Sequence, residues 1–187
     1  MVVLAVTLPT PIMAQRGAAP DSLKHIQSME PRSGPPGTEV VLFTENLPVQ
    51  ARIHVGVGAV GIGFEELAEV PQGQWGEVEA SVRVPAYATW ERAVVFIIFN
   101  GIFSPIGISD PFHVTNADGL VRRAGTISTA EPPCVGMRDD DGFQYALMGD
   151  LGGVEPGDRV VVEAVPSEYS ACPDASALDV VRVTNGG

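Results

Sequence analysis

Lysine is almost missing from this chain: ten of its eleven basic residues are arginines, only Lys24 is a lysine, and they are scattered. Against 23 acidic residues this leaves a formal charge of −12. Phosphate backbones are bound by grouped cations that release counterions, so nucleic acid is excluded as a partner and anionic membrane is disfavoured. The same acidity keeps a surface solvated and self-repelling, as expected of a monomer. Histidine is scarce too. His25, His54 and His113 each fall on or beside a predicted strand, with the solvent-facing environment usual there and no motif around them. HExxH, a glycine-rich phosphate loop and a nucleophile elbow are all absent. No apolar run is long enough to span a bilayer. These absences point away from an enzyme and toward a protein with no cofactor and no metal.

What is present is the composition of short strands and turns. Hydrophobic residues make up 45% of the chain, and 21 glycines with 16 prolines suit many strands joined by tight turns and leave little room for helix. Residues 1–14 carry no charged side chain, run through Val2, Val3, Leu4, Ala5, Val6 and Leu8, and end on Ala14. They read as a signal peptide cut after Ala14, followed by a linker over 15–22. Cys134 and Cys172 are the only cysteines, and an even count in an exported chain favours a disulfide over two buried thiols. A periplasmic or extracellular location follows as an expectation.

Apolar runs bounded by Gly, Pro, Asn or Asp predict strands at Glu39–Thr44, Arg52–Val57, Ala59–Phe64, Glu77–Val84, Ala93–Phe99 and Phe112–Thr115, with a leading strand near Ile26. Seven strands over roughly 95 residues suit a β-sandwich. Gly34-Pro35-Pro36-Gly37 must turn, because proline fixes φ and glycine admits the left-handed conformation. The residues Pro31, Ser33, Gly34, Pro35, Gly37 and Thr38, then Val40, Leu42, Asn46 and Leu47, resemble the opening of the IPT/TIG immunoglobulin-like family. Val55-Gly56, Val84-Pro85 and Asn100-Gly101 ahead of Phe112-His113-Val114 sit where that family has its middle strands and closing hairpin. The resemblance covers about 23–115 and implies an immunoglobulin-like sandwich.

A polar break at 116–119 separates this from a second pattern at 120–187. Strands are predicted at Val121–Ser128, Cys134–Arg138, Phe143–Gly149, Arg159–Val165 and Ala177–Val183, a count suited to a small closed barrel. Gly142-Phe143-Gln144-Tyr145-Ala146-Leu147 and Glu155-Pro156-Gly157-Asp158-Arg159-Val160 resemble small OB-like domains of exported bacterial proteins. The fold class expected is therefore all-β, a sandwich followed by a five-stranded OB-like barrel. A domain of this size is marginal on core burial alone, so a Cys134–Cys172 staple makes physical sense.

Four features invite chemistry or contact. Asp139-Asp140-Asp141-Gly142 suggests a calcium loop, but Phe143 and Gln144 occupy the fifth and sixth positions, where an EF-hand needs a ligand and a glycine; a hairpin turn is the better reading. Glu65, Glu66, Glu69, Glu77 and Glu79 offer carboxylates from which nothing selects a catalytic pair. Trp75, Tyr87 and Trp90 lie in or beside turns and would, if exposed, stack on sugar rings or anchor a protein; the alternative is that they plug the sandwich core. The apolar stretch Ile102, Phe103, Pro105, Ile106, Ile108 must cover something, most simply the second domain, otherwise a partner. The functional expectation is a non-enzymatic binding or scaffolding module contacting a protein or glycan at the cell envelope. The alternative is a carbohydrate-binding accessory domain or a component of a glycan-active hydrolase.

Overall fold

A computed structural model of the chain describes residues 23–59, 63–131, 134–170, 172 and 175–186, so the expected leader and linker lie outside the described residues. Among these residues every regular element is a strand, and no helix is long and apolar enough to cross a membrane. The first ten strands are β1 (Lys24–His25), β2 (Ser28–Glu30), β3 (Ser33–Gly34), β4 (Glu39–Thr44), β5 (Ile53–Ala59), β6 (Gly63–Val70), β7 (Val78–Arg83), β8 (Ala93–Asn100), β9 (Pro105–Ile108) and β10 (Phe112–Val114). The last five are β11 (Val121–Glu131), β12 (Cys134–Asp139), β13 (Gln144–Met148), β14 (Arg159–Ser167) and β15 (Ser176–Asn185). The fold is all-β.

β1 to β10 form a sandwich. A seven-stranded sheet, in which β8 is flanked by β5 and β6 on one side and by β9, β1, β10 and β3 on the other, packs on the three-stranded sheet β2-β4-β7. The small sheet is buried on one face only, so β4 and β7 alternate strictly, Val40 and Leu42 inward with Val78, Ala80 and Val82. β5 and β8 are buried on both faces and read instead as nearly continuous apolar runs. Val55, Phe96, Ile98 and Phe112 fill the space between the sheets, Phe96 meeting Phe112 edge to face with ring centres 6.0 Å apart. Each such side chain contributes roughly 1.5–3 kcal/mol by leaving water.

β11 to β15 close a barrel in the order β11-β12-β13-β15-β14, with β13 and β15 parallel and β14 returning to pair with β11. It has its own apolar core around Ile127, Met137, Tyr145, Leu147, Val162 and Leu178. Cys134 and Cys172 are joined, 38 residues apart, tying the start of β12 to the connection between β14 and β15 as expected. Asp139 to Gly142 is a hairpin turn: Gly142 takes the left-handed φ of 92° and donates to the Asp139 carbonyl at 3.0 Å. Its carboxylates are engaged within the protein. Asp139 accepts from the Phe143 amide, Asp140 pairs bidentately with Arg159 at 2.6 Å, and Asp141 meets Arg92 at 3.3 Å.

Sandwich and barrel meet on a buried arginine. Along β11, Val121, Arg123, Gly125 and Ile127 point inward, which places a guanidinium where alternation calls for an apolar side chain. Arg123 Nη1 donates to the Trp90 carbonyl of the sandwich at 2.6 Å and to the Arg122 carbonyl at 2.9 Å, and Nε donates to the Tyr145 hydroxyl at 3.2 Å. The Arg122 amide joins it on the Trp90 carbonyl at 2.9 Å. His113 of β10 lies against the Tyr145 ring, centres 5.7 Å apart. The break at 116–119 is an ordered turn, the Asn116 side chain accepting from the amides of Asp118 and Leu120. Burial pushes the Tyr145 phenol up to about 12 and raises Asp139, whose carboxylate lies close enough to feel the Arg123 charge.

Several expectations need correction. Ten strands rather than about seven build the sandwich. Ala59–Phe64 is not one strand: β5 ends at Ala59, β6 runs from Gly63 to Val70, and 60–62 lie outside the described residues. His54 and His113 are buried rather than solvent-facing.

Two predictions follow from these contacts. Replacing both cysteines by serine is expected to cost about 3–4 kcal/mol, since the bridge closes a long loop, and urea unfolding of the barrel measures it. Burial, followed by the charges of Arg123 and Arg32, lowers His113 to about 3. Above the unfolded value near 6.5 neither state holds the proton, so His113 has no effect. Below it the unfolded chain gains a proton that the folded chain refuses, and stability falls by roughly 3 kcal/mol by pH 4. The raised Asp139 works in the opposite sense at the acid end. A His113→Phe chain should therefore show a flatter loss of stability between pH 6.5 and 4; an unchanged slope would place His113 in contact with solvent.

Candidate binding surface at the distal loop end

The strand register sorts the loops of the sandwich into two ends. Ile53, at the start of β5, pairs with Asn100 at the end of β8 and with Val70 at the end of β6. Residues 45–52, 71–77 and 101–104 therefore share the end distal to the barrel. Ala93, at the other end of β8, pairs with His113 beside the barrel. Three chain segments thus crowd the distal end, and the first two are stitched together. The Leu47 amide donates to Gly76 O at 3.2 Å, the Gln50 amide to Gln72 Oε1 at 2.7 Å, and Gln72 Nε2 to Pro48 O at 3.2 Å.

Large apolar side chains project from all three segments: Val49 is 64% exposed, Trp75 72%, Ile102 83% and Phe103 47%. A single such residue on a surface is ordinary, but four on adjoining loops are not. The 101–104 hairpin is built to hold its pair. Asn100 Oδ1 accepts from the amides of Ile102 at 3.2 Å and Ser104 at 2.9 Å, and the Phe103 amide donates to the Asn100 carbonyl at 2.9 Å. Phe103 takes a φ of 58°, a left-handed conformation costly for a bulky residue and found where surroundings over-determine it. Its ring stacks on His54 at 5.2 Å, and His54 Nδ1 is hydrogen-bonded to Glu66 Oε1 at 2.7 Å.

Behind the hairpin the outer face of the large sheet is paved by rings. Phe64 stacks on Phe99 with centres 4.1 Å apart, and Phe99 lies over Gly56. A Cβ at Gly56 would stand 3.0 Å from the Phe99 ring and 2.6 Å from the Glu65 carbonyl, so only glycine lets the ring down onto the backbone. Beside Trp75's loop a pocket of about 490 Å³ is lined with polar groups, among them Gln50, Arg52, Glu69 and Gln72.

The residues singled out from the sequence divide between the two ends. Trp75, Ile102 and Phe103 gather at the distal end. Tyr87, exposed, lies at the opposite end, where its hydroxyl donates to Glu65 at 2.6 Å and that carboxylate holds the phenol above its ordinary range. Trp90 is half-buried at the barrel junction, offering its carbonyl to Arg122 and Arg123. Ile106 packs onto the sandwich core from β9. The stretch Ile102 to Ile108 does not cover the barrel, because β8 and β9 carry it to the far end of the sandwich. His54 and His113 share the large sheet but stand about 20 Å apart along β8, given 3.3 Å per residue. Of the carboxylates, consecutive Glu65 and Glu66 face opposite sides of β6 and bond to Tyr87 and His54, while Glu77 Oε2 accepts from the Trp75 amide at 2.9 Å. Val49 is not marked by the sequence reading, and Asn100 enters it only through the Asn100-Gly101 hairpin pair; an apolar residue set in the Pro48-Val49-Gln50 loop is the signal for the first.

No protein-family model matches the chain, and neither a curated protein nor a solved structure matches it.

Asn100 should be the keystone of this surface. An Asn100→Ala chain is expected to lose about 1–2 kcal/mol and to exchange the amide protons of 102–104 faster, with the barrel amides unchanged. Uniform acceleration across both cores would mean that Asn100 acts on global stability alone.

Proposed function

We propose that the chain is an exported, non-enzymatic binding module of the cell envelope that engages a protein partner through its distal loop end. The observation that carries this reading is the joint exposure of Val49, Trp75, Ile102 and Phe103 on three loops that the chain's own hydrogen bonds hold in place. Rigid aromatic and aliphatic anchors bind with little loss of conformational freedom, which is how interface hot spots gain affinity. Their summed exposed area is on the order of 500 Å², a large part of the ~800 Å² that each side of a standard interface buries.

The two-domain division, an IPT/TIG-type sandwich over 23–115 and an OB-like barrel over 120–187, belongs to this reading. It is supported by the separate cores and by the barrel's strand order with its parallel third and fifth strands. The Cys134–Cys172 bond supports an oxidising compartment, periplasmic or extracellular. A second reading, glycan binding, is favoured by the polar pocket of Gln50, Arg52, Glu69 and Gln72, the last on the loop that carries exposed Trp75.

The two readings part on two variants. For a protein partner, Ile102→Ser and Trp75→Ala should each weaken capture of one and the same envelope protein by about tenfold or more in a crosslinking pull-down. For a glycan, array binding should vanish in Trp75→Ala and survive in Ile102→Ser. Capture and array binding both untouched by either change would refute a role for the distal end.

A further inference from the structure

A second concavity lies at the other end of the sandwich, where it meets the barrel. One wall is residues 30–33, leading from β2 into β3, with Asp110 and His113 behind it; the other is Pro166 and Ser167 at the end of β14 with Glu168 and Cys172 beyond it. Its volume is about 1450 Å³. Small-molecule pockets run to roughly 300–1,000 Å³, so the groove suits an extended chain better than a compact ligand.

Its chemistry is one-sided. Among the described residues four carboxylates line it: Asp110 is already met by His25 at 3.2 Å and Arg32 at 4.0 Å and Glu39 by Arg83 at 3.8 Å, whereas Glu30 and Glu168 form no ion pair. Pro31, Pro111 and Pro166 have no N–H to offer, and the hydroxyls of Ser33, Ser167 and Ser176 can accept as well as donate. Among the described residues His113 Nδ1 is buried without a protein partner. The carboxylates are too dispersed to chelate: no group of three acidic, histidine or cysteine side chains among the described residues could hold a metal ion. Spacing along a groove is what an extended ligand with repeated cationic side chains requires. A formal charge of −12 steers such a ligand inward.

The described residues of the two walls are tied together before any ligand arrives. Arg123 and the Asn116 turn hold barrel to sandwich, and the disulfide anchors Cys172 in its wall. A preorganised groove spends little ordering free energy on binding. The geometry points to this groove as a binding site for an extended cationic segment of a partner protein, its basic side chains taken by Glu30 from the sandwich and Glu168 from the barrel. The site stands apart from the distal loop end and does not depend on it.

The test uses the full chain and a fluorescent peptide of alternating lysine and serine, titrated by anisotropy at about 50 mM salt, where screening is modest. Saturable one-to-one binding is expected, weakened about tenfold by Glu30→Gln with Glu168→Gln, and by less than about twofold by Glu79→Gln with Glu155→Gln, which remove the same charge elsewhere. These exposed positions tolerate the change, so loss of fold does not confuse the result. Equal weakening by both pairs would reduce the effect to bulk charge and overturn the proposal. So would the absence of saturation, or spermine competing as well as unlabelled peptide, since a free polyamine has no backbone to lay along the walls.

Discussion

A guanidinium buried between two apolar cores is an expensive thing to build, and the placement of sandwich on barrel depends on one. Arg123 leaves water only because the Trp90 and Arg122 carbonyls, the Tyr145 hydroxyl and the nearby Asp139 charge receive it. Trp90 belongs to the sandwich and Arg123 to the barrel, so rotating one unit against the other breaks the bond between them. Directional polar contacts of this kind specify a single arrangement where apolar packing alone would accept several. The neutral His113 ring completes the cluster, since a second cation beside Arg123 would have no counterpart.

Because the junction is fixed, the two ends of the sandwich acquire different characters. The distal end carries apolar side chains on hydrogen-bonded loops, with strain at Phe103 absorbed by the Asn100 cap and the His54 ring. The junction end carries an acidic groove whose walls come from both units. The length of β8 separates these regions, and the molecule presents each to a different kind of chemistry.

The strands that follow binary patterning were legible in the sequence. Glu39–Thr44 was read to the residue, and all five barrel strands were placed within a few positions, because alternation and turn residues agree there. β6 was missed because Glu65, Glu66 and Glu69 decorate an edge strand exposed on much of its length, and the apolar 60–64 stretch looked more like sheet than they did. β1, β3 and β9 span two to four residues and exist only through their partners, which no local pattern encodes. Trp75, Ile102 and Phe103 were legible as apolar residues in turns, but their gathering at one end depends on which strand ends lie together. Arg123 left a trace that went unread: an arginine at an inward position of a strand otherwise reading Val121, Gly125, Ile127.

The barrel's closure has a bearing on how the chain is assembled. β15 sits between β13 and β14, both of which precede it, so the ring cannot shut until Ser176–Asn185 takes its slot. A chain growing from its N-terminus holds all ten sandwich strands by residue 114, whereas at residue 167 the barrel is still four strands with two bare edges. Cys172 comes just ahead of the missing strand, and once joined to Cys134 it shortens the search of β15 for its gap. The sandwich is thus a finished platform on which a slower, edge-exposed partner completes itself.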